Sequence, residues 1–465
     1  MTPAPTAPTA PSPACALPGT PLAAAAAGLD ACVHCGFCLQ ACPTYVNLED
    51  ENDSPRGRLV LMRRLLDGDI PLDDADTGRH IDRCLGCRAC ETACPSGVPY
   101  GELLEATRAT MAPVRGTPLV ARVVLTVFRH HALLRAALFA ARLVRDSGLP
   151  GALARVLPAR LAFPMAMLAS TRPNPALAAP QWLAPATLAR SQLAPSQLAP
   201  STLAPSTPAP STLAPSTLAP APAPSAALLT GCVMSGLFAH VNAATETALT
   251  HNGFTVCPTS GQRCCGALHA HAGDLAGARA LARENIAAFE RANPDLVVVN
   301  AAGCGAMLKQ YGHLLHDDPA WAERAQRISN KTRDVSELLA TAGPVAGTRP
   351  IPLRVTHDPP CHQMHAQRIV HPPLQLLRAV PGLTLIPLED ADQCCGSAGI
   401  YNLVEPATSD AVLAPKLARI AETHAEVVAT GNPGCSMQIG AGLQLAGAKT
   451  TVVHPVELLA ASYRD

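Results

Sequence analysis

The sequence shows no excess of charge of either sign, because 35 lysine and arginine residues are balanced by 35 aspartate and glutamate residues. A strong electrostatic attraction to nucleic acid is therefore not expected. A complete glycine-rich dinucleotide motif is also missing, since Gly303-Cys304-Gly305 lacks the remaining glycine spacing of that fingerprint. The chain is accordingly not predicted to bind a dinucleotide cofactor through such a loop.

An uninterrupted apolar run of membrane-spanning length is absent as well. The most apolar helical stretch, residues 119–144, is interrupted by basic residues and histidines, namely Arg122, Arg129, His130, His131, Arg135 and Arg142. These side chains argue against a transmembrane helix. We predict instead one amphipathic helix that packs against the N-terminal module, with docking on a membrane surface as the alternative.

The N-terminus lacks the basic segment of a secretory signal, and several prolines precede its short alanine run. The protein is therefore expected in the reducing cytoplasm, with peripheral contact at the inner face of the cell membrane as an option. Disulfides rarely persist in that compartment. The 18 cysteines of the chain are thus expected to serve another purpose.

Eight of these cysteines form two copies of one pattern, in which three cysteines spaced by two residues precede a fourth cysteine and a proline. The copies are Cys32, Cys35, Cys38 and Cys42 before Pro43, and Cys84, Cys87, Cys90 and Cys94 before Pro95. This is the run of bacterial ferredoxins with two 4Fe-4S clusters, in which the fourth cysteine ligates the other cluster. It predicts one cluster on Cys32, Cys35, Cys38 and Cys94 and another on Cys84, Cys87, Cys90 and Cys42. Structural zinc, the main alternative, usually takes two separated cysteine pairs.

The insert between the two runs, residues 43–83, is longer than a compact ferredoxin built from hairpins requires. Within it, residues 58–66 are predicted to form a helix that stops at Asp67-Gly68. We therefore expect a helical ferredoxin domain in which each run caps or links helices. Ser54-Pro-Arg-Gly-Arg58 precedes the helix and could bring guanidinium groups near the clusters, with a solvated helix start as the alternative.

Two low-complexity segments carry no residue set suited to redox chemistry. From Leu183 to Ser225 a five-residue repeat of the form Leu-Ala-Pro-Ser-Thr recurs, and its prolines exclude helices and central strands. This segment is predicted to be an extended, passive linker. The stretch up to Leu22 is predicted to be a disordered arm, and Cys15 within it has no companion ligand.

Beyond the linker the chain contains an internal duplication with a spacing of about 130 residues. The first unit carries Cys232, Cys264-Cys265-Gly266 and Cys304, and the second carries Cys361, Cys394-Cys395-Gly396 and Cys435. Strands are predicted at residues 227–231, 254–257 and 296–300 of the first unit and at 353–357, 383–387 and 426–430 of the second. Helices are predicted between them, including one that opens at each double cysteine and one at the last cysteine of each unit.

Strands and helices that alternate in this way predict a parallel sheet covered by helices. Functional residues of such folds lie at the carboxyl ends of the strands, where the repeated cysteines are placed. Adjacent cysteines suit a multinuclear cluster or a redox thiol pair, and a glycine-rich helix start lowers the pKa of a thiol. Buried structural cysteine is the alternative. Cys257, which has no counterpart in the second unit, is predicted to be a core residue.

The resulting fold class is α + α/β: a helical ferredoxin domain with two 4Fe-4S clusters, followed by two duplicated parallel-sheet α/β cysteine-rich units that each contain Cys-Cys-Gly (CCG units). The predicted boundaries are the arm at 1–22, the ferredoxin domain at 23–112, a helical connector at 113–182, the linker at 183–225, and the CCG units at 226–345 and 346–465.

The tandem ferredoxin runs followed by two CCG units resemble the iron-sulfur subunits of bacterial glycolate oxidases, within the wider family that includes heterodisulfide reductase subunits. The phrases that carry this resemblance are Ser54-Pro-Arg-Gly-Arg58, Asn300-Ala-Ala-Gly-Cys-Gly-Ala-Met307, His357-Asp-Pro-Pro-Cys-His362 and Cys394-Cys-Gly-Ser-Ala-Gly-Ile-Tyr-Asn402. The resemblance implies an electron-transfer subunit of an oxidoreductase that acts on CH-OH groups, with no catalytic residue of its own. A separate FAD-containing subunit would oxidise the 2-hydroxy acid, and this chain would pass single electrons toward a quinone or another acceptor.

The chain departs from the heterodisulfide reductase pattern at one point in each unit. Those subunits end the unit in Cys-x-x-Cys, whereas the corresponding residues here are Cys304-Gly-Ala-Met307 and Cys435-Ser-Met-Gln438. Each unit therefore offers four cysteines as candidate ligands of a further iron-sulfur centre, with an empty site as the alternative. The alternative functions are the matching subunit of an anaerobic glycerol-3-phosphate or lactate dehydrogenase, a disulfide reductase, and a non-catalytic iron-sulfur sensor with a regulatory partner.

Four histidines follow the cysteines of the CCG units, namely His269, His271, His362 and His365. Each could donate a hydrogen bond to a ligand or carry a proton to a quinone. Helix capping or a surface position is the alternative for each of them.

Overall fold

The computed structural model describes residues 16–175, 177 and 223–463. Cys15 and nearly all of the predicted Leu-Ala-Pro linker lie outside these residues. Along the chain, the described residues form a helical N-terminal part, a group of connector helices and two α/β units. The predicted fold class is confirmed.

The N-terminal part consists of short helices around the two ferredoxin runs. Its helices are α1 (Pro21–Ala24), α2 (Ala27–Asp30), α3 (Pro43–Leu48), α4 (Pro55–Asp67), α5 (Ala75–Asp82), α6 (Ala89–Ala93) and α7 (Tyr100–Arg115), with a 3-10 turn at Glu51–Asp53. Cys42 immediately precedes α3 and Cys94 immediately follows α6, so each run caps a helix as predicted. The helix predicted at residues 58–66 is α4, which ends before Gly68.

The N-terminal arm is shorter than predicted. Leu22 is fully buried in the apolar core of the N-terminal part, together with Leu103 and Met111. Its backbone N–H donates a hydrogen bond to Thr110 Oγ1 at 3.0 Å. The prediction that the arm extends to Leu22 is therefore wrong, because a leucine among prolines and alanines gives no periodic signal of burial.

The connector forms four helices instead of one long amphipathic helix. They are α8 (Leu119–Arg129), α9 (His131–Asp146), α10 (Leu149–Leu153) and α11 (Ala159–Ala169). The single helix predicted at 119–144 is wrong, because His130 adopts an extended backbone and separates α8 from α9. Among the described residues no helix alone is long and apolar enough to cross a membrane; α7 and α8 would qualify only as a pair, which is bent by 114° at its break.

The connector helices pack against the α/β units. Leu138 of α9 lies so close to Gly236 that a Cβ at this glycine would stand 2.7 Å from Leu138 Cδ1. Gly236 is thus required for the close approach of α9. At the end of α8, Arg129 Nη1 donates to the carbonyl of Gly277 at 2.9 Å. The prediction that residues 119–144 pack against the ferredoxin module is therefore wrong.

The two α/β units repeat one order of strands and helices. The first contains β1 (Ser225–Leu228), α12 (Val233–Leu237), α13 (Ala239–His251), β2 (Thr255–Val256), α14 (Ala267–His271), α15 (Leu275–Ala292), β3 (Leu296–Val299), α16 (Ala302–Lys309), α17 (Tyr311–Leu314), α18 (Ala322–Lys331), β4 (Thr332–Asp334) and α19 (Val335–Ala342). The second contains β5 (Arg354–His357), a π-helical turn at His362–Ala366, α20 (Pro372–Arg378), β6 (Thr384–Ile386), α21 (Tyr401–Val404), α22 (Pro406–Glu422), β7 (Val427–Ala429), α23 (Pro433–Leu445), β8 (Thr451–Val453) and α24 (Pro455–Ser462).

Each unit has a four-stranded parallel sheet, with the orders β2-β1-β3-β4 and β6-β5-β7-β8. The three strands predicted in each unit are present, and a short fourth strand at one edge was not predicted. In the first unit α14 directly follows Gly266, as expected. In the second unit a turn follows Gly396 and α21 begins only at Tyr401, so the prediction that the double cysteine opens a helix is wrong there.

One apolar core joins the two units. It contains Ala226, Leu228 and Val298 of the first sheet together with Val355 and Val427 of the second. The opposite face of the first sheet, with Val297 and Val299, packs against a separate core. The inner faces of the two sheets thus share one core, which packs the two units against each other.

Burial of His454 at the start of α24 is expected to make the protein sensitive to acid. Its Nδ1 accepts the backbone N–H of Val456 at 3.0 Å, and burial lowers its pKa from 6.5 to about 3. Below pH 6.5 the unfolded chain binds a proton at His454 that the folded chain does not bind, so the free energy of unfolding falls as the pH falls. Asparagine can also cap a helix but does not titrate.

We expect His454→Asn to lose about 1 kcal/mol less of its free energy of unfolding than the parent protein between pH 7.5 and pH 5.5. Chemical denaturation of both proteins at the two pH values measures this difference. Equal losses in the two proteins would contradict the prediction.

Candidate functional site

The two ferredoxin runs adopt the same local backbone although their sequences differ. In each run the residue before the second cysteine has a positive φ, His34 in the first and Gly86 in the second. The residue after that cysteine also has a positive φ, Gly36 in the first run and Arg88 in the second. Left-handed residues on both sides of a cysteine curl the chain tightly, which allows neighbouring thiols to face one centre.

The four predicted ligands of the first cluster lie around one cavity. Cys32, Cys35, Cys38 and Cys94 line it together with Tyr100 and with Cys90 of the second set, and it is open on one side. Its empty volume, including the open side, is about 420 Å³. Burial raises the pKa of the Cys38 thiol, an effect that a hydrogen bond from the backbone of Arg56 partly offsets. The structure therefore brings together the three spaced cysteines of the first run and the last cysteine of the second.

Cys42 lies among the cysteines of the second run. Its charge raises the pKa values of Cys87 and Cys90, although burial is the main cause for both thiols. Cys84 belongs to the same group and accepts hydrogen bonds from the Tyr100 hydroxyl at 3.6 Å and the Gly86 N–H at 3.4 Å. Buried thiols of this kind give up their protons when they bind iron.

The two arginines of the Ser54–Arg58 segment lie near different cysteine sets. Arg56 lines the cavity of the first set and pairs with Glu51. Arg58 is completely buried, and the charges of Cys84, Tyr100, Cys42 and Asp53 raise its pKa against the opposing effect of burial. The expectation that guanidinium groups lie near the clusters therefore agrees with their placement, and the solvated alternative does not fit Arg58.

Arg58 is the centre of a buried polar network. Its Nε donates to the carbonyl of His80 at 2.7 Å, and its two terminal nitrogens donate to Thr44 Oγ1 and Asp53 Oδ1, both at 3.1 Å. Thr44 Oγ1 in turn lies 3.2 Å from Cys42 Sγ. The network therefore connects the start of α4 directly to a predicted cluster ligand.

The four repeated cysteines of the first CCG unit are brought together. Cys232 Sγ lies 3.6 Å from Cys264 Sγ, Cys264 interacts with Cys265, and Cys265 interacts with Cys304. The surrounding side chains are mostly apolar, with Tyr311 donating to the Cys265 carbonyl at 2.8 Å. Contact with Cys264 and burial together raise the pKa of Cys232.

The four repeated cysteines of the second CCG unit form an equivalent group. Cys361 interacts with Cys394, Cys394 with Cys395, and Cys395 with Cys435. Asn432 Nδ2 also donates to Cys435 Sγ at 3.4 Å. Hydrogen bonds from Cys394 and Cys435, assisted by the charge of Lys416, lower the pKa of Cys395.

A buried ion pair distinguishes the second unit from the first. Lys416 Nζ lies 3.1 Å from Asp358 Oδ1, both side chains are buried, and burial raises the pKa of Asp358 to about 6. Leu229 takes the place of Asp358 in the first unit, three residues before the first cysteine, and α15 contains no lysine. The duplicated thiol groups therefore lie in different electrostatic surroundings. Sequence reasoning missed this pair, and the aspartate of the His357–His362 phrase was its only signal.

The cysteines of the second ferredoxin run lie against the second CCG unit. The half-buried Cys87 shares one apolar cluster with Leu85, Cys361 and Cys394, and the charge of Cys361 adds to the effect of burial in raising the pKa of Cys87. Tyr401 Oη donates to the carbonyl of Arg83 at 2.8 Å across the same contact. Cys87 and Cys361 thus connect the ferredoxin part to the cysteine-rich part.

The helix starts that carry the last cysteine of each unit are also in contact. Ala302 N–H donates to the carbonyl of Gly431 at 3.0 Å, and Gly303 N–H donates to Asn432 Oδ1 at 3.3 Å. These residues precede Cys304 and Cys435 in the sequence. The two CCG thiol groups therefore face a common boundary between the units.

The four histidines singled out from the sequence bond to neighbouring parts of the chain. His362 Nε2 lies 3.2 Å from the Gly86 carbonyl, and His365 Nδ1 lies 2.9 Å from Thr92 Oγ1. His271 pairs with Glu105, and His269 contacts the carbonyl of Leu125. All four thus hold the N-terminal part or the connector against the CCG units.

Cys257, predicted to be a core residue, is instead partly exposed after β2, so that prediction is wrong.

Comparison with known proteins supports the same division of the chain. A family described as "4Fe-4S dicluster domain" matches residues 28–98, and one described as "Cysteine-rich domain" matches residues 226–309 and 355–440. The probable glycolate oxidase iron-sulfur subunit of Bacillus subtilis is 36% identical over 444 residues, which is 92% of each chain. The glycolate oxidase iron-sulfur subunit of Escherichia coli is 30% identical over 443 residues, which is 93% of each chain. Lactate utilization protein A of Exiguobacterium is 31% identical over 237 residues, 51% of this chain and 97% of that protein.

These matches and the grouped thiols define an iron-sulfur electron-transfer protein that combines a two-cluster ferredoxin domain with a duplicated cysteine-rich domain. The full-length similarity identifies the family more narrowly than the two domain matches do. The chain belongs to the family of glycolate oxidase iron-sulfur subunits.

Proposed function

We propose that this chain is the subunit through which a glycolate-oxidising flavoprotein passes its electrons, one at a time, to a quinone or another acceptor. Oxidation of glycolate to glyoxylate releases two electrons and two protons. An FAD-containing partner subunit takes both electrons as a hydride, and the acceptor finally receives two electrons and two protons. The full-length match to two glycolate oxidase iron-sulfur subunits is the observation that carries this proposal.

The residues present fit two 4Fe-4S clusters. One set is Cys32, Cys35, Cys38 and Cys94, and the other is Cys84, Cys87, Cys90 and Cys42. Clusters held by these thiolates would each accept and release one electron. Arg56 and Arg58 add positive charge beside the two sets, which favours the reduced state.

The thiol groups of the CCG units are proposed as ligands of further iron-sulfur centres. The first group is Cys232, Cys264, Cys265 and Cys304, and the second is Cys361, Cys394, Cys395 and Cys435. In each group every thiol interacts with at least one other thiol of the group, which supports a shared centre. Because Cys87 adjoins Cys361, the second group is the one that exchanges electrons with the ferredoxin part.

The surface around Cys35 is proposed as the entry point for electrons from the partner. Cys35 is exposed, and the neighbouring Val33 and Phe37 are 67% and 68% exposed. Exposed apolar side chains around an accessible ligand suit a contact with another subunit. In the second cysteine set, in contrast, Cys42, Cys84 and Cys90 are buried, and the half-buried Cys87 packs against the second CCG unit.

The proposal can be tested with tagged full-length protein purified anaerobically from its host together with any associated flavoprotein. Adding glycolate should bleach the iron-sulfur absorbance. We expect Phe37→Asp to slow this bleaching by about tenfold or more without changing the absorbance spectrum, because a charge in the apolar contact weakens it. Leu445→Asp, which alters an exposed apolar residue far along the chain, is the matched control.

Lactate is the second candidate substrate, because lactate utilization protein A of Exiguobacterium matches half of the chain. Bleaching by lactate and not by glycolate would replace the proposed substrate and retain the relay. Failure of any flavoprotein to co-purify would contradict the relay itself.

The place of action is proposed to be the cytoplasm, in peripheral contact with the inner face of the cell membrane, where a quinone would be reached. Neither a nucleic acid nor a membrane-spanning segment is part of this proposal.

A further inference from the structure

The connector helices expose an unusual share of the large apolar side chains of the protein. Nineteen such residues are exposed among the described residues, and ten of them lie between residues 119 and 161. They are Leu119, Val120, Val123, Leu133, Phe139, Leu143, Val144, Leu149, Val156 and Leu161. We call these ten residues the connector face. Concentrated exposure of this kind marks a contact surface.

On helix α9 the residues of the connector face differ from the residues that pack against the first CCG unit. Leu134 and Leu138 are one turn apart on one side of α9, and Leu138 contacts Gly236 of the first CCG unit. Phe139 and Leu143 are one turn apart on the other side and are 63% and 59% exposed. The helix is therefore apolar on two sides, and the described residues cover only one of them.

The charge of the connector helices has one sign. Residues 119–169 contain seven arginines, no lysine and a single acidic residue, Asp146. Arg145 is buried and pairs with Asp146, while the other six arginines are exposed. None of these six forms an ion pair within the residues that the structure describes. The chain as a whole has no net charge, but its connector helices carry a local excess of positive charge.

We infer that the connector face binds the surface of an anionic lipid bilayer. Apolar side chains interspersed with arginines can enter the boundary between headgroups and acyl chains while the guanidinium groups contact phosphates. On α9, Arg135 and Arg142 are seven residues apart and therefore lie along the same edge of the exposed side that carries Phe139 and Leu143. This arrangement favours a bilayer over a protein partner, whose contact surface normally separates an apolar centre from a polar rim.

Peripheral membrane contact is part of the proposed function, and the assignment of its surface and lipid class rests on that function. Its test does not depend on electron transfer. The full-length protein with its clusters is mixed with vesicles of phosphatidylcholine containing phosphatidylglycerol, or with pure phosphatidylcholine vesicles, and sedimented. Binding is expected to the anionic vesicles and to weaken as the salt concentration rises.

Two double variants separate the apolar and the charged contribution. Phe139→Glu/Leu143→Glu and Arg135→Gln/Arg142→Gln should each lower the partition coefficient on anionic vesicles by about tenfold or more. Val345→Glu, an exposed apolar residue outside the connector, should leave it unchanged. The iron-sulfur absorbance of all variants reports whether the fold is retained.

Two outcomes would overturn the inference. One is binding to anionic vesicles that neither double variant reduces. The other is no vesicle binding by the parent protein, together with loss of flavoprotein association in Phe139→Glu/Leu143→Glu, which would make the connector face a protein interface. Failure of the proposed electron relay is recognised separately, because glycolate then fails to bleach the parent protein in solution.

Discussion

Replacing Cys42 by serine is expected to remove the second iron-sulfur cluster and leave the first intact, although Cys42 belongs to the first run. Cys42 does not line the cavity formed by Cys32, Cys35 and Cys38, and its charge raises the pKa values of Cys87 and Cys90 as well as that of Cys38. Loss of one thiolate from a cluster with four cysteine ligands normally destabilises that cluster. About half of the iron of the ferredoxin part should therefore be lost.

Electron paramagnetic resonance of the dithionite-reduced protein distinguishes the two clusters, since only two neighbouring reduced clusters show magnetic coupling. Cys42→Ser should abolish the coupling and retain the spectrum of one isolated cluster. Cys94→Ser is the reciprocal variant and should retain the other cluster. Cys257→Ser, which changes a cysteine outside all four thiol groups, should keep both. If Cys42→Ser and Cys38→Ser gave the same remaining cluster, the crossed ligand sets would be wrong.

Replacing Arg58 by methionine is expected to lower the free energy of unfolding of the ferredoxin part by about 3–5 kcal/mol. The variant leaves Asp53 Oδ1, Thr44 Oγ1 and the carbonyl of His80 without their buried guanidinium donor. Arg83 still contacts Asp53 Oδ2 at 3.0 Å, so the carboxylate is not left entirely uncompensated. Lysine carries one nitrogen and cannot reproduce three differently directed donors, so Arg58→Lys should also be strongly destabilised.

Anaerobic chemical denaturation, followed through the iron-sulfur absorbance, measures this effect. The matched control is Arg64→Met on the same helix, because Arg64 pairs with Asp69 at the surface. Exposed ion pairs of that kind contribute at most about 1 kcal/mol. A loss in Arg58→Met no larger than that in Arg64→Met would show that the buried network does not stabilise the fold.

The features that the sequence predicted correctly are those with a short, repeated pattern. The cysteine runs, the helix after Ser54 and three strands in each CCG unit follow from spacing and periodicity alone. The cysteines at the ends of those strands could be expected to meet because parallel strands present their carboxyl ends at one edge of a sheet. The contacts from Cys232 to Cys304 and from Cys361 to Cys435 agree with that expectation.

The features that the sequence did not reveal depend on residues far apart in the chain. Lys416 and Asp358 lie in different elements, and no local pattern indicates that they pair in the core. The buried Arg58 likewise donates to the carbonyl of His80, which lies 22 residues further along the chain. The break at His130 was missed because the apolar period continues across it, and no local residue signals the extended backbone of His130.

The placement of Cys42 among the cysteines of the second run also has a consequence for biosynthesis. A growing chain that has emerged from the ribosome only as far as Gly68 contains Cys32, Cys35 and Cys38 but not Cys94. With the crossed ligand sets, neither cluster has its full complement of thiolates until the second run has been made. Iron-sulfur insertion would then follow the synthesis of the whole ferredoxin part, and the assembly machinery must deliver both clusters to a nearly complete domain.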